Sequence, residues 1–289
     1  SPKSQGANSP ARRLRGGIKK ETTMKIGIVG CAGRMGRMLC KEVMAGDGLE
    51  LVGGTEYDGS EFIGADISEL SGLHPAGPMV TTDTAALFAA SDAVIDFPLP
   101  EATTHHAELA GEHGTAFVVG TTGLSSPQQA TIEAAARSVA VVQAANFSIG
   151  VNLLLGLTEQ TAGVLGADND IEILEMHHRH KVDAPSGTAL ALGRAAASGR
   201  GVNLDDVSDR VRDGHTGARK DGDIGFATLR GGDVVGDHSV IFAAEGERIE
   251  LTHKASSRSI FANGAVRAAR WCEGKAPGLY AMRDVLGFK

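Results

Sequence analysis

Met24-Lys25-Ile26-Gly27-Ile28-Val29-Gly30-Cys31-Ala32-Gly33-Arg34-Met35-Gly36 reads as a short apolar strand running into a glycine loop, and the loop opens a helical pattern carried by Met38, Leu39, Val43 and Met44. Strand, glycine turn and helix in that order are the context that a dinucleotide-binding loop requires. The glycines let the backbone approach a pyrophosphate, and the helix N-terminus offers free N–H groups and a favourable dipole. The spacing here is GxxGxxG rather than GxGxxG, so the loop gains its force from an acid further along the chain. The next apolar run, 49–55, ends at Glu56, about twenty residues beyond the loop, where an acid can accept the adenosine ribose hydroxyls. Residue 57 is tyrosine rather than arginine. The obvious cation for a 2′-phosphate is missing, which tilts the reading toward NADH over NADPH, although Arg34 can still reach a phosphate.

Outward from that stretch, strands and helices alternate. A helix over 84–90 precedes the buried strand Asp92-Ala93-Val94-Ile95-Asp96-Phe97, which Pro98 and Pro100 close. A helix from about 101 to 112 comes next, in which His105, His106 and His113 have polar neighbours and are read as surface residues. Residues 115–119 form another core strand with Gly120-Thr121-Thr122-Gly123 at its carboxyl end. Ligands of open parallel sheets sit beyond those ends, so this turn is placed to meet the nicotinamide half of a cofactor; the plainer reading is an ordinary glycine turn. Ser126-Pro127 starts a further helix, and a strand over 139–142 ends in Ala144-Ala145-Asn146-Phe147-Ser148. The fold expected is α/β, with an N-terminal Rossmann-type doubly wound parallel sheet over 24–148.

After Ser148 the pattern changes. A Leu-rich helix over 151–165 and a strand over 170–176 lead to Glu175-Met176-His177-His178-Arg179-His180-Lys181-Val182-Asp183-Ala184-Pro185-Ser186-Gly187-Thr188. Three histidines, an arginine and a lysine at the end of a strand make a poor core. Ahead of a Pro-Ser-Gly-Thr turn and a helix over 188–197, they read as a pocket for a small carboxylate with proton-transfer groups beside it. The side-chain period of two sends His177 and His178 to opposite faces. A metal cluster is the rival reading, but carboxylate or cysteine partners do not stand at ligand spacing, and no metal is expected. Residues 200–220 are irregular and charged, a candidate mobile loop near the site; strands over 224–229, 234–243 and 248–251, joined by short Gly, Asp and Glu turns, imply an antiparallel sheet. A helix over 262–272 could pack back on the first domain. The domains expected are therefore 24–148 with 258–289, binding dinucleotide, and 149–257, an α+β unit with a mostly antiparallel open sheet. Arg258, at the return, is either a hinge contact or a surface cation.

Composition narrows the function classes. Hydrophobic residues at 42% and charged residues at 22% of 289 suit a soluble globular protein. Lys3, Arg12, Arg13, Arg15, Lys19 and Lys20 against Glu21 give residues 1–23 a charge of +5, which leaves −12 for the remainder of a chain whose total is −7. That arm, polar and without periodicity, is expected to be a disordered extension. So acidic a body argues against nucleic acid as a partner, and no apolar run is long enough for a membrane span. Cys31, Cys40 and Cys272 show no CxxC spacing; reduced thiols suit the cytoplasm.

The glycine loop with Glu56, the GTTG turn, residues 144–152 and above all 175–188 resemble bacterial dihydrodipicolinate reductases, as do Leu229 to His238 and Leu251 to Arg258. The resemblance covers essentially all of 24–289. It implies hydride delivery from NADH or NADPH to a small cyclic dicarboxylate in diaminopimelate and lysine biosynthesis. By it, His177 is the catalytic acid/base and Lys181 a proton donor that also faces substrate, while His178, Gly187 and Thr188 bind the substrate carboxylates. Gly30, Cys31, Ala32, Gly33, Arg34, Met35, Gly36, Glu56, Gly120, Thr121, Thr122, Ala144, Ala145, Asn146 and Phe147 carry the cofactor. A homotetramer built through the second domain's sheet is implied as well. Two alternatives stay open: another two-domain dehydrogenase of small carbonyl or imine acids, and a nucleotide-binding redox sensor without catalysis.

Overall fold

The computed structural model describes residues 23–74 and 76–288; the arm expected to be disordered falls, but for residue 23, outside them. Strand β1 (Met24–Val29) sends Met24, Ile26 and Ile28 to one face and Val29 to the other, because successive side chains leave a strand on opposite sides. It pairs in parallel with β2 (Leu49–Thr55) and β4 (Ala93–Asp96). With β3 (Val80–Thr81), β5 (Ala116–Val119), β6 (Ala140–Gln143) and, from near the end of the chain, β12 (Gly278–Tyr280), they make a seven-stranded sheet in the order β12-β6-β5-β4-β1-β2-β3. Every pairing in it is parallel. The order reverses between β1 and β4, the switch point at which such sheets bind ligands.

The alternation within each strand supplies two cores. Ile95, Val118 and Val142 face α1 (Arg34–Ala45), α2 (Ile67–Leu70), α9 (Ser259–Trp271) and α10 (Met282–Leu286). Val94, Phe117, Val119 and Val141 face α3 (Thr84–Ala90), α4 (Pro100–His113) and α5 (Ser126–Ala135). Each fully buried side chain of this kind contributes about 1.5–3 kcal/mol. The C-terminal helix therefore does pack on the first sheet, as its amphipathic pattern led one to expect.

The second sheet has five strands in the order β11-β10-β7-β9-β8: β7 (Asp170–His177), β8 (Ser208–Asp209), β9 (Ile224–Arg230), β10 (Gly236–Ala244) and β11 (Glu247–Ala255). Helices α6 (Ile149–Leu165) and α7 (Gly187–Arg200), with the short α8 (Leu204–Val207), bury Ile171, Ile173, Ile224, Val240 and Phe242 on one of its faces. The sheet is mixed: β10 is antiparallel to β7 and β11, whereas β9 runs parallel to β7 and β8. The segment 230–233 is consequently not a hairpin turn. Strand β7 lies between β9 and β10, and the backbone there bonds to the end of β7 instead, Gly231 N–H to His177 O and His178 N–H to Val234 O.

Two further expectations are corrected. The charged 200–220 segment is anchored away from the site: Arg212 reaches Glu172 at 2.8 Å, and Arg219 reaches Asp170 and Glu172 at 2.8 and 2.9 Å. These acids begin β7, so the strand's rise sets its far end, His177, ~17–23 Å away. His106 is not a surface residue. It is 6% exposed, and its Nδ1 lies 2.6 Å from the fully buried carboxylate of Asp96.

Candidate active site

The glycine loop leaves the end of β1, and the first turn of α1 opens from it with no side chain capping its N–H groups. Gly30, Gly33, Arg34, Met35 and Gly36 line a cleft of about 740 Å³ with Phe97 and Arg258. Gly36 is a close approach: a Cβ there would lie 2.0 Å from the Gly30 carbonyl oxygen. Cys31 and Ala32 face elsewhere. The Cys31 side chain is buried beneath Gly54, and burial pushes its thiol up to about 12. The Ala32 N–H donates to Glu56 Oε1 at 2.8 Å, so the acid at the end of β2 braces the loop.

At the carboxyl end of β5, Gly120 lies against the Phe97 ring, and the Thr121 hydroxyl turns inward to Asp96 and the Pro98 carbonyl at 3.2 and 3.1 Å. Thr122 alone of that turn lines the main cleft, a space of about 990 Å³ that also takes in Ala144, Ala145 and Asn146. Phe147 is buried, its ring 5.5 Å from that of Phe97.

From the second sheet the same cleft receives His177, Lys181, Gly187 and Thr188. Asn146 Nδ2 meets Thr188 Oγ1 at 3.4 Å, a direct link between the two halves of the chain. Ser186 caps α7 by accepting from Ala189 N–H at 3.1 Å, which leaves the N–H groups of the first turn facing the cleft as an anion receptor. Lys181 Nζ lies 2.7 Å from Asp183 Oδ1, and this ammonium holds the Asp183 carboxyl below its usual range. His178 is not among the cleft's lining residues; it comes just after the last strand residue, and its ring sits 6.2 Å from that of His180.

His177 is held more firmly than the sequence suggests. Its Nδ1 stands 2.6 Å from Glu175 Oε2. Glu175, 1% exposed, also accepts Arg230 at both oxygens, at 2.8 and 2.9 Å, and the Ser186 N–H at 3.0 Å. Burial alone would raise this carboxyl, but the hydrogen bonds from Arg230, His177 and Ser186 outweigh it and hold the group below its ordinary value. His238 packs edge-on to His177 with ring centres 5.0 Å apart, and its Nε2 meets Ser186 Oγ at 3.1 Å. Burial first, and the nearby charge of His177 second, push His238 down to about 4.

The chain that forms these two clefts, one lined by a glycine loop and one by the end of β7, matches a known family over nearly its whole length. Residues 24–147 match the family described as dihydrodipicolinate reductase, N-terminus, and residues 150–286 match its C-terminus. The chain belongs to the dihydrodipicolinate reductase family. The 4-hydroxy-tetrahydrodipicolinate reductase of Dinoroseobacter shibae is 58% identical over 90% of this chain and 97% of its own, and that of Parvibaculum lavamentivorans 56% identical over 92% and 98%. Among solved structures, the dipicolinate-bound dihydrodipicolinate reductase from Paenisporosarcina sp. TG-14 superposes with a TM-score of 0.72 at 25% identity, covering 90% of this chain and 97% of that one. As a dihydrodipicolinate reductase family member the chain is an oxidoreductase. Glu175, Arg230 and His238 surround His177, and Ser186 lines the cleft. All four stand within the stretches quoted from the sequence, but none was given a role there; for Glu175 the signal was its place at i−2 from His177, on the same strand face.

Proposed function

We propose that the chain reduces 4-hydroxy-tetrahydrodipicolinate, or the dihydrodipicolinate derived from it, to tetrahydrodipicolinate with NADH or NADPH, as a step of diaminopimelate and lysine biosynthesis in the cytoplasm. The observation that carries this reading is that His177, Lys181 and the N-terminus of α7 open into the same cleft as Thr122, Ala144 and Asn146 of the parallel sheet. A dinucleotide fits the residues present. The glycine loop leaves room that a Cβ at position 36 would close, and the uncapped start of α1 faces the second cleft. Gly30 to Gly36 would hold the pyrophosphate and Glu56 the ribose, with the 120–122 turn and residues 144–147 beside the nicotinamide; Cys31, Gly120, Thr121 and Phe147 can contribute through backbone atoms, their side chains or faces being packed inward. When bound, the nicotinamide supplies a hydride, a proton carried with two electrons, to the unsaturated ring.

The chain's own residues do the rest. Gly187, Thr188 and the Lys181 ammonium receive the carboxylates; the family resemblance assigns His178 to them as well, but His178 stands outside the cleft's lining and its Nδ1 is buried. His177 releases the proton from Nε2 to the ring atom on which the electron pair develops, and the N–H bonding pair stays on that nitrogen. Lys181 lowers the energy of that developing charge as a fixed cation. Two domains, 24–148 with 258–289 and 149–257, then divide cofactor and substrate between them.

The test is steady-state loss of NADH absorbance with freshly made substrate. His177→Ala is expected to lose roughly 10²- to 10⁴-fold in turnover while NADH affinity stays within a few-fold; a large loss of NADH binding, or unchanged turnover, would overturn the assignment. Glu56 with Tyr57 next to it sets comparable catalytic efficiencies with NADH and NADPH as the expected outcome, and a strong NADPH preference would contradict it.

A further inference from the structure

Beside His177 stands a group that the assignment above leaves without a task. Glu175 and His177 are two residues apart on β7 and so share a face. Across the neighbouring strands, Glu175 is paired in register with His238 of β10 and with Thr228 of β9, two residues short of Arg230. The carboxylate is buried and fully engaged: Arg230 grips both oxygens, and the Ser186 N–H binds one of them. An ionised carboxylate only accepts hydrogen bonds. The 2.6 Å contact therefore requires the proton on His177 Nδ1, which leaves Nε2, bonded to none of the described residues, for the cleft.

We propose that Glu175, itself held by Arg230, is the positioning residue that fixes the tautomer and orientation of His177 and stabilises its cationic form, so that the ring can hold and deliver a proton from Nε2. Glu175 stays ionised throughout and exchanges no proton with substrate; it keeps Nδ1–H in place while the Nε2–H bond breaks. The inference rests on His177 being the proton donor. Charges facing the ring come from each surrounding element. Glu175 lies on its own strand and Arg230 on β9; Lys181, paired with Asp183, lies on the loop after β7, and neutral His238 on β10 has His253 of β11 behind it. Further along the cleft stand Glu159 of α6 and Arg194 of α7. Among the described residues the Glu175 carboxylate is the one anion bonded to the ring, and Arg230 is the cation that tempers it.

Opposite signs are expected for the two partners. Glu175→Gln keeps shape but removes the charge, so the cationic ring loses its support; the alkaline fall of kcat is expected to move about one unit or more to lower pH, with kcat down at least tenfold and KM for NADH within a few-fold. Arg230→Met removes the tempering cation, so the same limb is expected to move to higher pH. A merely structural role would move both limbs alike or neither. The cycle with His177→Ala completes the test, since removing Glu175 in that background should cost little further turnover. Unchanged profiles in both single variants, or full additivity in the cycle, would overturn the inference while leaving His177 as donor. Full turnover in His177→Ala alone would overturn that prior assignment instead. If Glu175→Gln does not fold, the direction of the Arg230→Met shift decides the question.

Discussion

His238 is 3% exposed, and its Nδ1 has no hydrogen-bond partner among the described residues. Its value is depressed to about 4 in the folded chain against 6.5 when unfolded, so between those pH values the unfolded state binds the extra proton. Stability from this group is thus complete above pH 6.5 and is lost as pH falls toward 4. Urea unfolding is expected to show a loss on the order of 2 kcal/mol across that window, and His238→Gln should flatten it; an identical acid profile in the variant would refute the assignment. Residues of this kind were the least legible in the sequence. The donor-rich run at 177–181 announced itself because cations at a strand end are costly to bury. His106 did not, since its partner Asp96 lies on β4, ten residues earlier and across a strand-to-helix turn. Arg230 likewise became a site residue only through the register of β9 on β7.

Among the elements, those built from local alternation were readable: β1, β2, β4, β5 and β6 with helices α1, α3, α4 and α5 arise from hydrophobic period and from Gly and Pro punctuation, whereas the two-residue β3 and the one-turn α2 are too short to show a period. What escaped was partner choice. The short 230–233 link looks like a hairpin turn, yet parallel pairing of β9 with β7 leaves it crossing over that strand's end. Helix α9 shows how closely such elements are fitted. A Cβ on Gly264 would fall 1.7 Å from the Phe147 carbonyl oxygen, in the segment that carries Ala144 to Asn146 into the main cleft. Gly264→Ala is expected to cost on the order of 1–3 kcal/mol through overpacking and to weaken NADH binding along with it. Calorimetry and cofactor titration check the pair, and an unchanged melting temperature would show that α9 can move aside freely.

For the whole molecule, the second sheet covers only one face with helices. Leu174, Met176 and Ile241 lie half-buried on the other face, where Leu229, 48% exposed, joins them beside Met176. Such a face is consistent with the homotetramer proposed from the family resemblance. Light scattering at micromolar concentration is expected to give four times the chain mass, and Leu229→Glu, placed outside both clefts, should shift it to smaller species; a monomer in the parent protein would refute the tetramer. The route of the chain has its own consequence. Strand β12 and helices α9 and α10 come from the last thirty-odd residues, after the whole second sheet, yet α9 packs over β4 and β5, on the face that carries Ile95 and Val118, and β12 forms one edge of the first sheet. A ribosome making this protein therefore displays an unroofed nucleotide domain until translation is nearly over, and a premature stop beyond residue 257 would spare every residue assigned to proton transfer while releasing a product unable to shelter its own core.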